Sequence, residues 1–133
     1  MKKNTVKEEI RSIEFNGKRH RLFAIPCLWG DPGETIDIFL TEEEYKSGGS
    51  LAVEVYCIEE DEIEPYATLT VNISEEGGGF LQDKQTAFVD TNNNSWAMKF
   101  IKENGLGKKI GEGYSGWCTY PLVKFNTKKF LAE

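Results

Sequence analysis

The stretch IRSIEFNGKRHRLFAI, residues 10–25, decides the fold class. Asn16-Gly17 separates two runs of alternating residues, and Asn-Gly favours a type I′ hairpin turn because both central residues need a positive φ. This turn sets a register in which Phe15 lies opposite Lys18. The sequence therefore predicts an antiparallel hairpin. Its apolar face would carry Ile13, Phe15, His20, Leu22 and Ala24.

Alternation of apolar and polar residues continues downstream and predicts further antiparallel strands. The runs 51–58 and 66–73 are rich in β-branched residues and indicate a second hairpin, joined by a longer acidic loop at 59–64. We expect the inward faces of these hairpins to form one side of the core. Shorter runs predict strands at 35–40, 87–90 and 120–125.

Four segments favour other structures. Residues 41–46 have the capping-box pattern, Thr followed three residues later by Glu, and predict one short helical turn. Residues 105–116 contain five glycines and predict a flexible connection. Residues 74–85 are rich in Ser, Glu, Gly and Gln and predict a mobile loop. The polar start, residues 1–7, is expected to fray.

One helix is expected at about residues 92–104. Trp96, Met98 and Phe100 supply its apolar side, and Asn104-Gly105 ends it, with glycine in the left-handed position. Strands that cluster before a helix are typical of an α+β fold. We therefore predict one domain spanning residues 1–133, with a mostly antiparallel sheet of about five to seven strands and this main helix packed on it.

Length and composition limit the function classes. The chain has 133 residues and 39% apolar residues, enough for one core. Its sequence contains no run of 18 apolar residues and no apolar leader, so we expect neither a membrane span nor a secretory signal. Three cysteines without a CxxC pair favour reduced thiols in the cytoplasm over a zinc site or disulfides.

The charge is strongly segregated along the chain. Residues 31–90 carry two Lys and sixteen Asp or Glu, a net charge of −14, between two ends of +4 each. Such a segment favours a basic protein partner and disfavours binding to duplex DNA. A special case is mimicry, in which the carboxylates take the place of DNA phosphates on a partner that binds DNA. Alternatively, the basic ends neutralise the acidic strands within the molecule. The candidate carboxylates are Glu42, Glu43, Glu54, Glu59 and Glu62.

Two motifs resemble ligand loops but lack essential parts. Residues 111–116 match G-x-G-x-x-G, yet no helix is expected after them to hold a phosphate. Residues 90–94 begin like a calcium loop, D-x-N-x-N, but Ser95 replaces the turn glycine and Ile101 replaces the bidentate glutamate. A flexible connection and helix capping explain the two motifs, so we predict no cofactor and no metal.

A complete catalytic set is also missing. His20 and Cys118 are a possible thiol–imidazole pair, but nothing in the sequence brings them within the roughly 3 Å that nucleophilic catalysis needs. A lone histidine on an apolar face is more typical of a packed residue. We therefore predict no catalytic residues.

Three pieces of the chain carry a resemblance: LAVEVYCIEE…EPYATLTVNI, AFVDTNNNSWAMKFIKENGLG and SGWCTYPLVKFN. They resemble a family of small bacterial proteins classed only as a domain of unknown function and carried by conjugative elements, plasmids and phages of gut Firmicutes. The resemblance implies an accessory or anti-defence role, and it implies no activity, cofactor or catalytic residue. It marks as positions to test Asp90, Asn92, Asn94, Trp96, Trp117, Tyr120 and Pro121.

We therefore expect a small acidic cytoplasmic protein that acts as a non-catalytic protein-binding module of a mobile element. One alternative is an enzyme that uses Asp90 as acid or base where the asparagine-rich turn meets residues 117–121. Another is a binder of single-stranded nucleic acid through the aromatic, lysine-rich C-terminal third. The sequence does not indicate an oligomeric state. The predicted binding residues are Glu42, Glu43, Glu54, Glu59, Glu62, Asp90, Asn92, Trp96, Trp117 and Tyr120.

Overall fold

The computed structural model describes residues 11–27 and 31–132. The predicted fraying of residues 1–7 lies outside the described residues. Within them, antiparallel strands dominate and one α-helix, α1 (Ala97–Glu103), follows the eighth strand, which confirms the α+β class. The strands are β1 (Ser12–Phe15), β2 (Lys18–Arg21), β3 (Phe23–Pro26), β4 (Thr35–Glu44), β5 (Leu51–Glu59), β6 (Glu62–Thr68), β7 (Thr70–Val71), β8 (Thr86–Val89), β9 (Gly107–Ser115) and β10 (Cys118–Phe125).

These strands form three sheets within the described residues, instead of the single sheet of five to seven strands predicted above. The hairpin β1–β2 stands alone. An acidic sheet has the order β3-β4-β5-β6, and a C-terminal sheet has the order β7-β8-β10-β9. The predicted number of strands is too low because each of two continuous sequence runs contributes strands to two different sheets. The run 18–26 breaks at Leu22 between β2 and β3, and the run 62–71 breaks between β6 and β7.

The first hairpin confirms the predicted register. Phe15 pairs with Lys18 and Ile13 pairs with His20. Asn16 and Gly17 have φ values of 50° and 79°, as a type I′ turn requires. The turn chemistry therefore fixes which side chains the hairpin presents to the rest of the molecule.

The main core lies between the two four-stranded sheets and α1. Ala97, Phe100 and Ile101 of the helix are buried there, and the Phe100 ring meets the Phe23 ring edge-on at 5.2 Å. On the other side of the acidic sheet, Phe15 packs its ring 5.2 Å from the Phe39 ring. Full burial of an apolar side chain such as Phe39 contributes about 1.5–3 kcal/mol. A second, smaller cluster on the C-terminal sheet comprises Ile73, Phe88, Tyr120 and Leu122.

The helical turn predicted at residues 41–46 is wrong. β4 continues to Glu44, which pairs with Leu51 of β5. The ladder to β5 satisfies the backbone along this stretch, so tertiary pairing overrides the local capping pattern.

The flexible connection predicted at 105–116 is also wrong, because these residues form β9 and the start of its turn. The glycine at position 113 is required by space. A Cβ there would lie 2.5 Å from Cε1 of Phe88 and 2.7 Å from the carbonyl oxygen of Gly77. Gly113 therefore allows close packing of the strand and does not indicate flexibility.

The helix begins at Ala97, later than the predicted residue 92. Residues before it form turns, because the buried side chain of Asn94 donates to the Thr68 carbonyl oxygen at 2.9 Å and ties this segment to β6. Within the described residues, no helix has the length and apolar character needed to cross a membrane.

Residues 74–85 contain two 3-10 turns, Glu75–Gly77 and Gly79–Leu81. The Gln82 side chain accepts from the backbone N–H of Ile73 at 3.1 Å and donates to the Gly79 carbonyl oxygen at 3.1 Å. The mobility of this loop stays a prediction.

Candidate binding surface

The predicted carboxylates form two groups on the acidic sheet. The β4 group comprises Glu42 and Glu43 at the end of β4 and Glu54, which pairs with Thr41. The tip group comprises residues 59–62 at the β5–β6 turn. Seven residues of β5 separate the position opposite Glu43 from Glu59, a distance of about 23 Å at the usual strand rise.

None of the five predicted glutamates makes an ion pair with another described residue. Three ion pairs occur among those residues: Arg11–Asp37 at 2.8 Å, Lys84–Glu44 at 3.0 Å and Lys109–Glu112 at 3.0 Å. All three are largely exposed and contribute little to stability. The described basic side chains therefore do not neutralise either group at short range.

The tip group occupies a tight turn, so the longer loop predicted at 59–64 is wrong. Glu59 pairs directly with Glu62, and the two residues between them, Glu60 and Asp61, have φ values of 50° and 66°. Positive φ at two residues other than glycine costs stability, and so do like charges facing each other across a ladder. The tip thus holds four carboxylates against the local preference of the backbone.

The tip group also acts on the nearest cysteine. Burial raises the pKa of the Cys57 thiol, and the Glu59 and Glu64 carboxylates raise it further. A raised pKa keeps this thiol protonated at neutral pH and lowers its reactivity. All three cysteines of the chain are unpaired.

Glu43 and Glu54 of the β4 group share a face of the acidic sheet with an aromatic pair, whereas Glu42 lies on the other face. Tyr56 stacks on Phe39 at a centroid distance of 5.4 Å. Burial raises the pKa of the Tyr56 phenol, and Glu43 and Glu54 add to the rise because they repel a phenolate. Glu54 is half-buried, and its carboxylate accepts from the Thr68 hydroxyl at 2.8 Å. Glu42 and Glu43 remain exposed, so they are available to a partner.

A cavity of about 230 Å³ opens beside the β4 group, between the β1–β2 hairpin, β4 and the 3-10 turn Thr127–Phe130. His20 and Thr41 line it, and their side chains are buried. Nδ1 of His20 lies 3.0 Å from the Leu40 carbonyl oxygen. Oγ1 of Thr41 has no hydrogen-bond partner among the described residues. Sequence reasoning missed this cavity, since only the three-dimensional fold brings the two residues together.

Asp90 is a structural residue of the strand–helix junction. Its Oδ1 accepts from the backbone N–H of Asn93 at 3.2 Å, and its Oδ2 accepts from the Asn93 side-chain amide at 2.8 Å. Asn92 is exposed in the same turn. These bonds explain the D-x-N-x-N motif without a metal, and Asp90 does not line the main cavities of the described residues. The enzyme alternative therefore gains no support from Asp90.

The predicted aromatic residues do not form one site. Tyr120 is buried beside Phe88, so its side chain is not available to a partner at the surface. Trp96 is half-buried between Tyr66 and Phe100, at ring distances of 6.3 and 5.5 Å, and we assign it to the core. Trp117 alone is fully exposed, at 104%.

The remaining motifs separate in space. His20 packs on Phe39 beside the acidic sheet, whereas Cys118 packs against the second cluster of the C-terminal sheet. The residues of the G-x-G-x-x-G motif form β9 and its turn to β10. Neither motif therefore assembles the chemistry that the sequence pattern resembles.

Comparison with known proteins identifies a family. The model of a family described as a domain of unknown function (DUF4313) matches residues 39–132. All ten predicted binding residues fall within this range, whereas the β1–β2 hairpin lies before it. No curated protein and no solved structure matches the chain.

Proposed function

We propose that this chain, which belongs to the family described as a domain of unknown function (DUF4313), is a non-catalytic binding module whose acidic sheet docks on a basic protein. One observation carries the proposal. Glu42, Glu43 and the tip group project carboxylates that no described basic side chain pairs at short range. Carboxylates left in this state attract a positively charged surface and orient it during encounter.

The strain at the tip supports the same function. A turn of this type would be more stable with Asn-Gly, yet Glu60 and Asp61 occupy it with positive φ. Backbone strain retained at a surface site motivates a functional hypothesis, here that charge at the tip matters more than local stability.

The arrangement favours a basic protein over mimicry of nucleic acid. Phosphates of a duplex repeat at short and regular intervals, whereas five to seven residues of strand, about 17–23 Å, separate the β4 group from the tip group. Two separated acidic groups suit a partner with two basic contacts.

We also propose that the protein is a cytoplasmic accessory module of a mobile element, with an anti-defence role as one form of it. The resemblance of residues 51–126 to proteins carried by such elements supports this proposal. The three unpaired cysteines suit a reducing compartment.

A pull-down from host lysate with charge-matched variants tests the binding function. We expect a protein captured at about 100 mM salt to be lost at about 500 mM, where screening shortens the reach of charges. It should also be lost with the test variant and retained by the control, which removes the same number of charges from exposed sites elsewhere. The test variant carries E42Q, E43Q, E59Q and E62Q, and the control carries E75Q, E76Q, E103Q and E112Q.

If the amount of captured protein changes neither with the salt concentration nor with the test variant, the electrostatic proposal is overturned. Equal losses with both variants would also overturn it, because net charge alone would then explain capture.

Single-stranded nucleic acid is a second candidate ligand, favoured by the full exposure of Trp117. Stacking on this ring would need lysines close by to hold the phosphates. Lys108 and Lys124 lie opposite each other in the β9–β10 ladder, at the end of the hairpin far from Trp117. Six residues of β10, about 20 Å, separate these lysines from the β9–β10 turn that carries Trp117. We therefore rank this function second.

A further inference from the structure

The cavity beside the β4 group exists because β3 is short. β3 pairs only with residues 35–38 of β4, so the second half of β4 extends beyond it. The β1–β2 hairpin and the 3-10 turn Thr127–Phe130 cover this side incompletely and leave a space of about 230 Å³. Glu42 and Glu43 line this space, so it is continuous with the proposed docking surface.

The cavity wall contains unused hydrogen-bond acceptors. Thr41 is 4% exposed, and its Oγ1 has no partner among the described residues. Buried hydroxyls are normally bonded, so this oxygen is free to bond with a polar group that enters the cavity. The Leu40 carbonyl can only accept, so Nδ1 of His20 carries the ring proton, and the other ring nitrogen is an acceptor in the neutral ring.

We propose that this cavity binds a lysine side chain of the basic partner. The inference rests on the proposed function and names the residue that enters the acidic sheet. An ammonium donates three hydrogen bonds, which suits the Thr41 hydroxyl, the acceptor nitrogen of the His20 ring and the carboxylate of Glu43, which follows Thr41 on the same face of β4. The aliphatic stem of lysine packs against apolar side chains while its charged head reaches polar groups. Phe15, Phe130 and Leu131 supply the apolar part of the lining.

Arginine fits this cavity less well. A guanidinium is planar and binds best to a carboxylate through two parallel hydrogen bonds, whereas an ammonium is a compact charge with rotatable donors. The acceptors here are single atoms on different elements: a hydroxyl of β4, a ring nitrogen of β2 and carboxylates at the end of β4.

Lys18 also lines the cavity and bears on the same site. It makes no ion pair with Glu42 or Glu43 among the described residues, so it leaves their charge available. Its ammonium nevertheless opposes the entry of a second cation. Lys18→Met should therefore strengthen binding of an amine.

Titration with n-butylammonium, the side-chain analogue of lysine, tests the site in the full-length protein by NMR. We expect amide shifts at Thr41 and Glu43, and little effect from n-butylguanidinium or from n-butanol at the same concentration. Thr41→Val, which keeps the shape and removes the hydroxyl, should weaken amine binding about tenfold, and Thr41→Ser should retain it. The tip variant E59Q/E62Q should leave amine binding unchanged.

The outcomes separate the two proposals. Equal shifts from butanol, or no response to butylammonium, would overturn the lysine site. In that case, loss of the protein partner with E59Q/E62Q would still support the acidic docking surface. If butylammonium binds but no partner responds to the glutamate variants, the proposed function fails while the cavity remains an amine site.

Discussion

The β5–β6 and β9–β10 hairpins have the same architecture and opposite chemistry. Each is a long antiparallel pair at the edge of a four-stranded sheet, and each closes with a two-residue turn. The first is built from alternating β-branched residues and ends in carboxylates. The second is built around glycines and ends in an exposed tryptophan. The comparison shows that a strand can be specified by side chains that fill the core or by glycines that leave room for neighbouring groups.

Packing explains why β9 tolerates glycine. A Cβ at Gly113 would enter the Phe88 ring, and a Cβ at Gly107 would lie 2.7 Å from Cγ1 of Val123. At Gly111, by contrast, the nearest atom to an added Cβ is Cδ2 of Leu122 at 3.6 Å, an ordinary contact. Gly107 and Gly113 therefore differ from Gly111 in what an added methyl group would contact.

Gly113→Ala should have the largest effect of the predictions made for this comparison. We expect the free energy of unfolding to fall by about 2–3 kcal/mol, because the added methyl overpacks the site against Phe88 and the Gly77 backbone. Urea denaturation measures the change.

Gly111→Ala is the matched control in the same strand. We expect it to change the free energy of unfolding by no more than about 0.5 kcal/mol in either direction. Equal effects of the two substitutions would contradict the packing argument and would point to backbone flexibility of β9 as a whole.

The same contrast explains which parts of the fold the sequence predicts. Asn16-Gly17 and the alternation in β5 are local signals, so the first hairpin and its register follow from them. β9 depends on Phe88, which lies far away in sequence, and the extension of β4 to Glu44 depends on pairing with Leu51. The predicted flexible connection at 105–116 and the predicted helical turn at 41–46 are wrong for this reason. Glycines and a capping pattern are local features, and long-range packing overrides them.

The candidate site divides in a similar way. Charge patterning is visible in the sequence, so the sequence alone indicates Glu42, Glu43 and Glu59 as candidates. Burial is not visible, and aromatic residues of the core and of the surface look alike in a sequence, as Tyr120 and Trp117 illustrate. The cavity at Thr41 depends on an early hairpin and on a turn close to the C-terminus.

The tip of β5–β6 gives the next prediction. Replacing Glu60-Asp61 by Asn-Gly should raise the free energy of unfolding by about 1 kcal/mol, because both new residues accept positive φ. Thermal denaturation should show a rise of about 3–5 °C for a chain of this size.

Glu62→Gln separates charge from backbone strain, since it removes one charge of the tip and leaves the turn residues unchanged. We expect a gain of less than about 0.5 kcal/mol from relief of the repulsion with Glu59. If the Asn-Gly replacement raises the free energy of unfolding no more than Glu62→Gln does, the strain argument fails. One support of the proposed function fails with it.

The tip of β9–β10 should show the smallest effect. Trp117 is fully exposed, so Trp117→Ala removes no buried surface, and the free energy of unfolding should stay within about 0.5 kcal/mol of the native value. Fluorescence anisotropy with a labelled oligothymidine should also give the same affinity for both proteins, because the paired lysines lie at the far end of the hairpin. A marked loss of oligonucleotide binding in the variant would place stacking at this ring. The aromatic tip would then be the ligand site of the C-terminal sheet, as the carboxylate tip is proposed to be for the acidic sheet.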